Sequence, residues 1–301
     1  FMYIPALLRM LHVSMVTSYK SLLFIINVST AFCAYYSMKT ICRFKESYQW
    51  GPAVSAIVYC LFPYRLINIY TRAAIGEALA MIFLPLVIAG IYHILLGDTK
   101  KWYLLVIGMT GIVNSHIISV LLVTVVLLLL LIIWWRQLRK KERWLSLLKA
   151  AGLSSLINCG YLVPFFYFYI KKATQVSSIF SSNYMNETLD FRELFIQGST
   201  KIARALASPV IGLSGMICFL AVFIGLFFCK KRNRSYFFMI SLLVLMIIFT
   251  LFTTSLIPYK QLAKIEFVDK LMSIFQFSFR FISVVAVFCA FLMGYVVGVH
   301  E

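Results

Sequence analysis

Acidic residues are scarce in this chain. Ten Asp and Glu stand against 28 Lys and Arg in 301 residues, and charge of either sign makes up only 13% of the sequence. Soluble domains carry about 25% charged residues. With 62% hydrophobic residues, the composition excludes an ordinary soluble globular protein. Histidine is also rare, at four dispersed positions, and the seven cysteines (Cys33, Cys42, Cys60, Cys159, Cys218, Cys229, Cys289) fall mostly inside apolar runs. None forms a CxxC, and no Cys/His set has zinc spacing, so they read as small buried hydrophobes and the expected metal ligands are none. P-loop, GxSxG and HExxH motifs are missing, as is a GxGxxG in strand–helix context. Nucleotide hydrolysis and soluble-hydrolase chemistry therefore lack support. No cofactor motif is visible, and nothing supports a divalent metal.

The surplus of bases gives a formal net charge of +18. No basic helix or aromatic RNA-binding motif accompanies it, which argues against a nucleic-acid partner. The Lys and Arg residues sit in short clusters between apolar runs. That arrangement orients membrane spans and meets anionic lipid.

A bilayer core of about 30 Å takes roughly 20 apolar residues per helix. The apolar runs place spans at about 21–38, 52–69, 77–96, 145–166, 209–229, 236–256 and 280–299, with a longer run at 102–135. As one helix that run would be about 50 Å long. We divide it at Asn114-Ser115-His116, its only polar cluster, into a hairpin of two short helices. The expected fold class is an all-α polytopic membrane helical bundle of about nine spans, forming a single transmembrane domain over 1–301. The clusters Arg136–Lys149 and Lys230–Arg234 mark the cytoplasmic face. The N-terminus is then outside and the C-terminus inside. Residues 1–20 read as an external interfacial stretch, and loops 167–208 and 257–279 as external, with a surface helix around Phe191–Leu206. Pro164, Pro209 and Pro258 are expected at span ends. Gly212, Gly215 and Gly225 are expected to permit close helix packing. The start at Phe1, not Met, and the stop at Glu301 behind an apolar run suggest a piece of a longer protein, truncated at both ends. Asn27-Val28-Ser29 and Asn186-Glu187-Thr188 match glycosylation sequons, the first of which lies inside a span and is set aside.

Ionisable residues at membrane depth are costly and are functional candidates. On this topology Arg65, Arg72 and Glu77 come from the join between two spans, and Asn114, Ser115 and His116 from the hairpin tip. Gln276 and Arg280 come from the start of the last span, all of them at the external interface. Arg presents a fork of donors matched to phosphate oxygens, so Arg65, Arg72 and Arg280 are candidates for binding a lipid-linked phosphate. Glu77 and His116 are candidate general bases, and Tyr64, Asn114 and Gln276 candidate acceptor-cleft residues. Each has a structural alternative: snorkelling for Arg65, an ion pair for Arg72 with Glu77, an interhelical hydrogen bond for His116, and an interfacial anchor for Arg280.

The segments Tyr64-Arg65-Leu66, Tyr70-Thr71-Arg72-Ala73-Ala74-Ile75-Gly76-Glu77 and Phe83-Leu84-Pro85-Leu86 resemble a family of bacterial multi-spanning membrane proteins. It is labelled pyruvoyl-tetrahydropterin-synthase-related, is YfhO-like, and is similar to the GT-C glycosyltransferases. The opening Tyr3-Ile4-Pro5-Ala6-Leu7-Leu8, the Ser115-His116 tip and Gln276-Phe277-Ser278-Phe279-Arg280-Phe281 match the same pattern, except that Ser278 stands where the family has Pro. The resemblance implies an integral plasma (inner) membrane enzyme of bacteria. It would move a sugar from a polyprenyl-phosphate carrier to a cell-envelope acceptor at the external face. It also implies a catalytic acid on the first external loop, which would precede Phe1. The implied partners are a lipid-linked sugar donor and membrane lipids. The oligomeric state is left open. Two other readings stand beside it: a lipid or polysaccharide flippase, and a non-catalytic scaffold of envelope assembly.

Overall fold

The computed structural model describes residues 3–41, 50–171, 188–195, 210–229 and 232–300. Among them the chain is helical, apart from one isolated parallel bridge between Leu189 and Thr254. The order is α1 (Tyr3–Met10), α2 (Met15–Ile41), α3 (Trp50–Cys60) and α4 (Pro63–Leu66), which runs into a π-helical turn, Ile67–Thr71. Then come α5 (Ile75–Leu95), α6 (Tyr103–Val113), α7 (Ile117–Ile133), α8 (Lys141–Ile157) and α9 (Cys159–Ile170). The last part holds α10 (Gly212–Phe227), α11 (Arg234–Leu251), α12 (Glu266–Phe275), a 3₁₀ turn at Ser278–Phe281, and α13 (Ile282–His300).

Helices α5 and α13 form the centre of the bundle and are buried along most of their length. Glycines let their neighbours approach. Gly90 of α5 lies against the Leu105 backbone of α6, Gly108 against Val87, and Gly111 against the Phe83 ring, which defines an antiparallel pair. Gly294 of α13 lies against Gly51 and Ser55 of α3, and Gly225 of α10 against Val296. A Cβ on Gly90 would stand 2.4 Å from the Leu105 nitrogen, and backbone cannot rotate aside as a side chain can. Gly90→Ala is therefore expected to cost about 1–3 kcal/mol by overpacking. Thermal unfolding in detergent would read this, with Gly152→Ala, whose Cβ meets nothing within 4 Å, as the tolerated control.

Contacts at the helix ends fix the direction of travel. Arg143 Nη1 donates to Ile94 O (2.8 Å) at one end of the bundle, and Asn158 Nδ2 donates to Thr110 Oγ1 (3.1 Å) at the other. α6 ends at the second level and α8 begins at the first, so α7 between them runs back. The hairpin expected from Asn114-Ser115-His116 is present. Tyr92 pairs with Ser235 (2.7 Å) and Tyr295 with Asn233 (3.4 Å) at the Arg143 end. One end thus gathers 92–102, 134–143 and 233–236. The other gathers 63–77, 114–116, 158, 188–195, 251–255 and 276–281.

Four helical stretches are long and apolar enough to cross a membrane: Met15–Ile41, Ile75–Leu95, Arg234–Leu251 and Ser278–Val299. Two bent pairs raise the number to six, and Ile117–Ile133 and Gly212–Phe227 are shorter apolar helices. Their outward faces carry large apolar side chains, among them Leu128, Ile132, Leu148, Ile217, Phe223 and Phe227. Apolar surface so extensive fits an integral membrane protein with its helices in contact with lipid.

The structure departs from the expected spans in two places. The expected span 52–69 stops at Cys60 and bends by 50° into Pro63–Thr71. Pro63 at the first turn of α4 has no N–H to continue the α3 ladder. The expected span 145–166 breaks by 76° at Asn158. Pro164, expected at a span end, lies inside α9. Pro209, the sequon at Asn186 and most of the surface helix expected around Phe191–Leu206 fall outside the described residues. Of that last segment, Leu194 accepts from the Ile211 and Gly212 nitrogens (both 2.9 Å); just ahead of it, Leu189 exchanges backbone bonds with Thr253 and Ser255.

Candidate functional site

Tyr64, Asn68 and Arg72 follow one another at four-residue spacing, which puts them on one side of α4 and its π turn. π-Helical turns are uncommon and concentrate at functional sites. This one ends where Ala73 takes φ 50°, a left-handed conformation that costs a non-glycine residue energy. The reversal brings Glu77, in the first turn of α5, back over the same face. A carboxylate at a helix N-terminus is favoured by the peptide dipoles.

Glu77 is 4% exposed, and both its oxygens are engaged. Oε1 accepts a short hydrogen bond from the Tyr64 hydroxyl, and Oε2 lies 3.6 Å from Arg72 Nη1. Arg72, 19% exposed, also donates from Nη1 to Asn68 Oδ1 (2.5 Å). Its guanidinium stacks 4.8 Å from the Phe279 ring centroid. Phe279 in turn stacks on Phe277 (5.0 Å, 13°), and the Arg280 guanidinium covers Phe277 at 5.1 Å. Two arginines are thereby mounted on a pair of stacked rings. Cation–π contact holds a guanidinium without consuming its hydrogen-bond donors.

Arg280 Nη1 donates to Phe275 O (2.8 Å) and Gln276 Oε1 (2.9 Å), while its buried Nε has no hydrogen-bond partner among the described residues. Gln276 ends α12 at φ 63°, the second left-handed residue beside a site arginine. Arg280 feels the charges of both Glu77 and Arg72. His116, at the hairpin tip, feels Glu77, Arg280 and Arg72. Its Nδ1 pairs with Ser119 Oγ (2.8 Å), and Nε2 has no hydrogen-bond partner among the described residues. Gly76 allows the tip to sit close: a Cβ there would be 3.1 Å from Ser115 O and 3.6 Å from the His116 ring.

The structure thus brings together Tyr64, Arg72, Glu77, His116, Gln276 and Arg280. Two of the expected site residues stand apart. Arg65, placed by sequence among the phosphate-binding candidates, is fully buried and turned toward α2. Its Nη1 donates to Cys60 O (3.0 Å) and its Nη2 to Asn27 Oδ1 (2.9 Å) and Thr30 Oγ1 (3.1 Å), so it neither snorkels nor faces a ligand. Asn114 donates to Asn158 Oδ1 (2.7 Å) and fastens the hairpin tip to α8. Glu77, placed among the candidate bases, accepts the Tyr64 hydroxyl at Oε1 and stands as counter-ion to Arg72 at 3.6 Å from Oε2.

Sequence reasoning missed Asn68, the Phe277–Phe279 stack as a mount, and the pair Asn27 and Asn158. Asn68 was readable from its spacing between Tyr64 and Arg72. Asn27 and Asn158 are single amides in apolar helices, a signal that a buried partner exists. Among the described residues, no group of three or more His, Cys, Asp or Glu is placed to hold a metal ion.

No curated protein and no solved structure matches the chain. One family model matches residues 21–296, which is most of the sequence, and on that match the chain belongs to DUF6541, a family of unknown function.

Proposed function

We propose that this protein is a polytopic membrane glycosyltransferase of GT-C type in a bacterial inner membrane, working at the external face. It moves a sugar from a polyprenyl-phosphate carrier to a cell-envelope acceptor. The carrying observation is the pair Arg72 and Arg280, held on stacked phenylalanines beside an imidazole with an unengaged nitrogen. Two guanidiniums against one carboxylate leave a surplus positive charge suited to a phosphate. The long helices, with each bent pair counted once, give six candidate crossings, to which this reading adds the shorter α7 and α10 and, together with the Thr99–Trp102 turn, α6, with the site on the outer side by the Lys and Arg distribution.

In this reading His116 Nε2 takes the proton of the acceptor hydroxyl, whose oxygen attacks the anomeric carbon. The glycosyl–phosphate bond breaks, and the charge gathering on the departing polyprenyl phosphate is met by Arg72 and Arg280. Burial, helped by the charges of Arg280 and Arg72 against that of Glu77, holds the His116 imidazole below the ordinary histidine range, and a neutral imidazole is suited to this role. The test is release of polyprenyl phosphate from a panel of polyprenyl-phosphate sugars incubated with purified protein and envelope extract. His116→Ala is expected to lower release by about 10²–10⁴-fold with thermal stability unchanged. Release equal to wild type from the variant, or none from the wild type with any donor, would remove the assignment.

The scaffold reading has its own support in the Asn114–Asn158 clamp and the Arg65 cage, which serve helix packing alone. The flippase reading gains nothing from the site, whose charges sit at one end of the bundle and line no path through it.

A further inference from the structure

We infer that α9 is not the continuation of a membrane span but a helix lying in the outer-leaflet interface, with its Val163–Phe166–Ile170 stripe inserted among lipid acyl chains. This rests on the chain being embedded in a bilayer and is independent of whether it transfers sugars.

Helix α8 runs from the Arg143–Ile94 contact at one end of the bundle to the Asn158–Thr110 contact at the other. α9 departs from it by 76°. If α8 crosses the bilayer, α9 lies near the membrane plane, at the level of the hairpin tip. The bend has a local cause. Asn158, at the joint, does not cap α9 with its side chain. It is 3% exposed and is spent on Thr110, Asn114 and the Ser154 carbonyl, so it is anchored to α6.

α9 has 12 residues and buries none of them. Its length is about 18 Å, too short to cross a hydrocarbon core of about 30 Å. Val163, Phe166 and Ile170 recur at helical spacing on one side and are 66%, 54% and 76% exposed. The other side carries a ladder of Tyr161, Phe165 and Tyr169, stacked at 6.2 and 6.1 Å. The stripe is bordered by Tyr167, and with Tyr161 and Tyr169 on the other side the only polar groups along the helix are phenols, which favour the headgroup boundary and mark an interfacial helix. Lys171, at its end, folds over the Tyr167 ring (4.5 Å). Leu156 and Ile157, at the end of α8 beside the joint, are also exposed.

The test uses the full chain without its native cysteines, reconstituted in phosphatidylcholine–phosphatidylglycerol vesicles. Nitroxides are attached to V163C, F166C and I170C, with L145C, L148C and L153C on α8 as reference, and depth is read from collision with oxygen against a nickel chelate. The three α9 labels are expected at one common depth, about 5–10 Å below the phosphates, while the α8 labels descend steadily. A steady change of about 1.5 Å per residue along α9 would make it a span and overturn the inference. Full access to the nickel chelate, or labels that are immobilised and reached by neither reagent, would overturn it equally, by showing water or protein on that face. Ungraded α8 labels would remove the premise of a trans-bilayer α8, and the inference with it.

Discussion

Glu77→Ala is expected to destabilise the protein by about 3 kcal/mol, measured as thermal or denaturant unfolding in detergent. The carboxylate is the acidic partner of Arg72 among the described residues and accepts from the buried Tyr64 hydroxyl. Removing it leaves a cation and a hydroxyl without partners, and breaking a buried pair typically costs about 3–5 kcal/mol. The low end applies because Arg72 keeps 19% of its exposure and partial access to water. Replacing both members, Arg72→Met with Glu77→Leu, is expected to recover most of the loss, because no uncompensated charge remains. Stability within about 0.5 kcal/mol of wild type for Glu77→Ala alone would show that the pair does no structural work. The double variant also separates the functional readings. Recovered stability with transfer abolished supports an enzyme that needs the Arg72 charge, whereas recovered stability with intact envelope assembly in cells supports the scaffold.

Arg65→Ala is expected to cost about 3–5 kcal/mol, from a large cavity and the loss of the bonds to Asn27, Thr30 and Cys60. Arg65 is an unusual buried cation. It has neutral acceptors around it and, among the described residues, no carboxylate in contact, so its fork of donors, more than its charge, joins α4 to α2. Lysine keeps the charge but cannot span the acceptors in the same plane. Arg65→Lys is therefore expected to lose about 2 kcal/mol while keeping its activity per folded molecule. Arg280→Lys is expected to lose activity without a comparable loss of stability, because Arg280 keeps donors unengaged for a ligand. If Arg65→Lys abolished transfer in a protein of wild-type stability, Arg65 would belong to the site after all.

The contrast between these two arginines shows where sequence reasoning stops. Arg65 and Arg72 are seven residues apart, in the same polar join. Nothing in the order of residues says that one turns down toward Asn27 and the other up toward Phe279. That outcome depends on the π turn and on the left-handed Ala73, which reset the side-chain direction along the segment. Glu77 was legible as a partner for Arg72. That one of its oxygens is taken by Tyr64 was not, since hydrogen-bond capacity is consumed by neighbours brought in through packing.

Composition and apolar run length were enough to establish an all-helical bundle, the seam at Asn114-Ser115-His116, and the gathering of Arg72, Glu77, His116, Gln276 and Arg280 at one end. These follow from one-dimensional quantities: bilayer thickness against helix rise, and the cost of charge in an apolar medium. Only the tertiary structure decided where helices bend. Pro164 is the more obvious breaker, yet the break falls at Asn158, whose side chain finds Thr110 and Asn114 on another helix. A proline removes one donor from a ladder that neighbouring turns can absorb. A buried amide satisfied from across the bundle is bound to a place in space, and the backbone that carries it has to turn there.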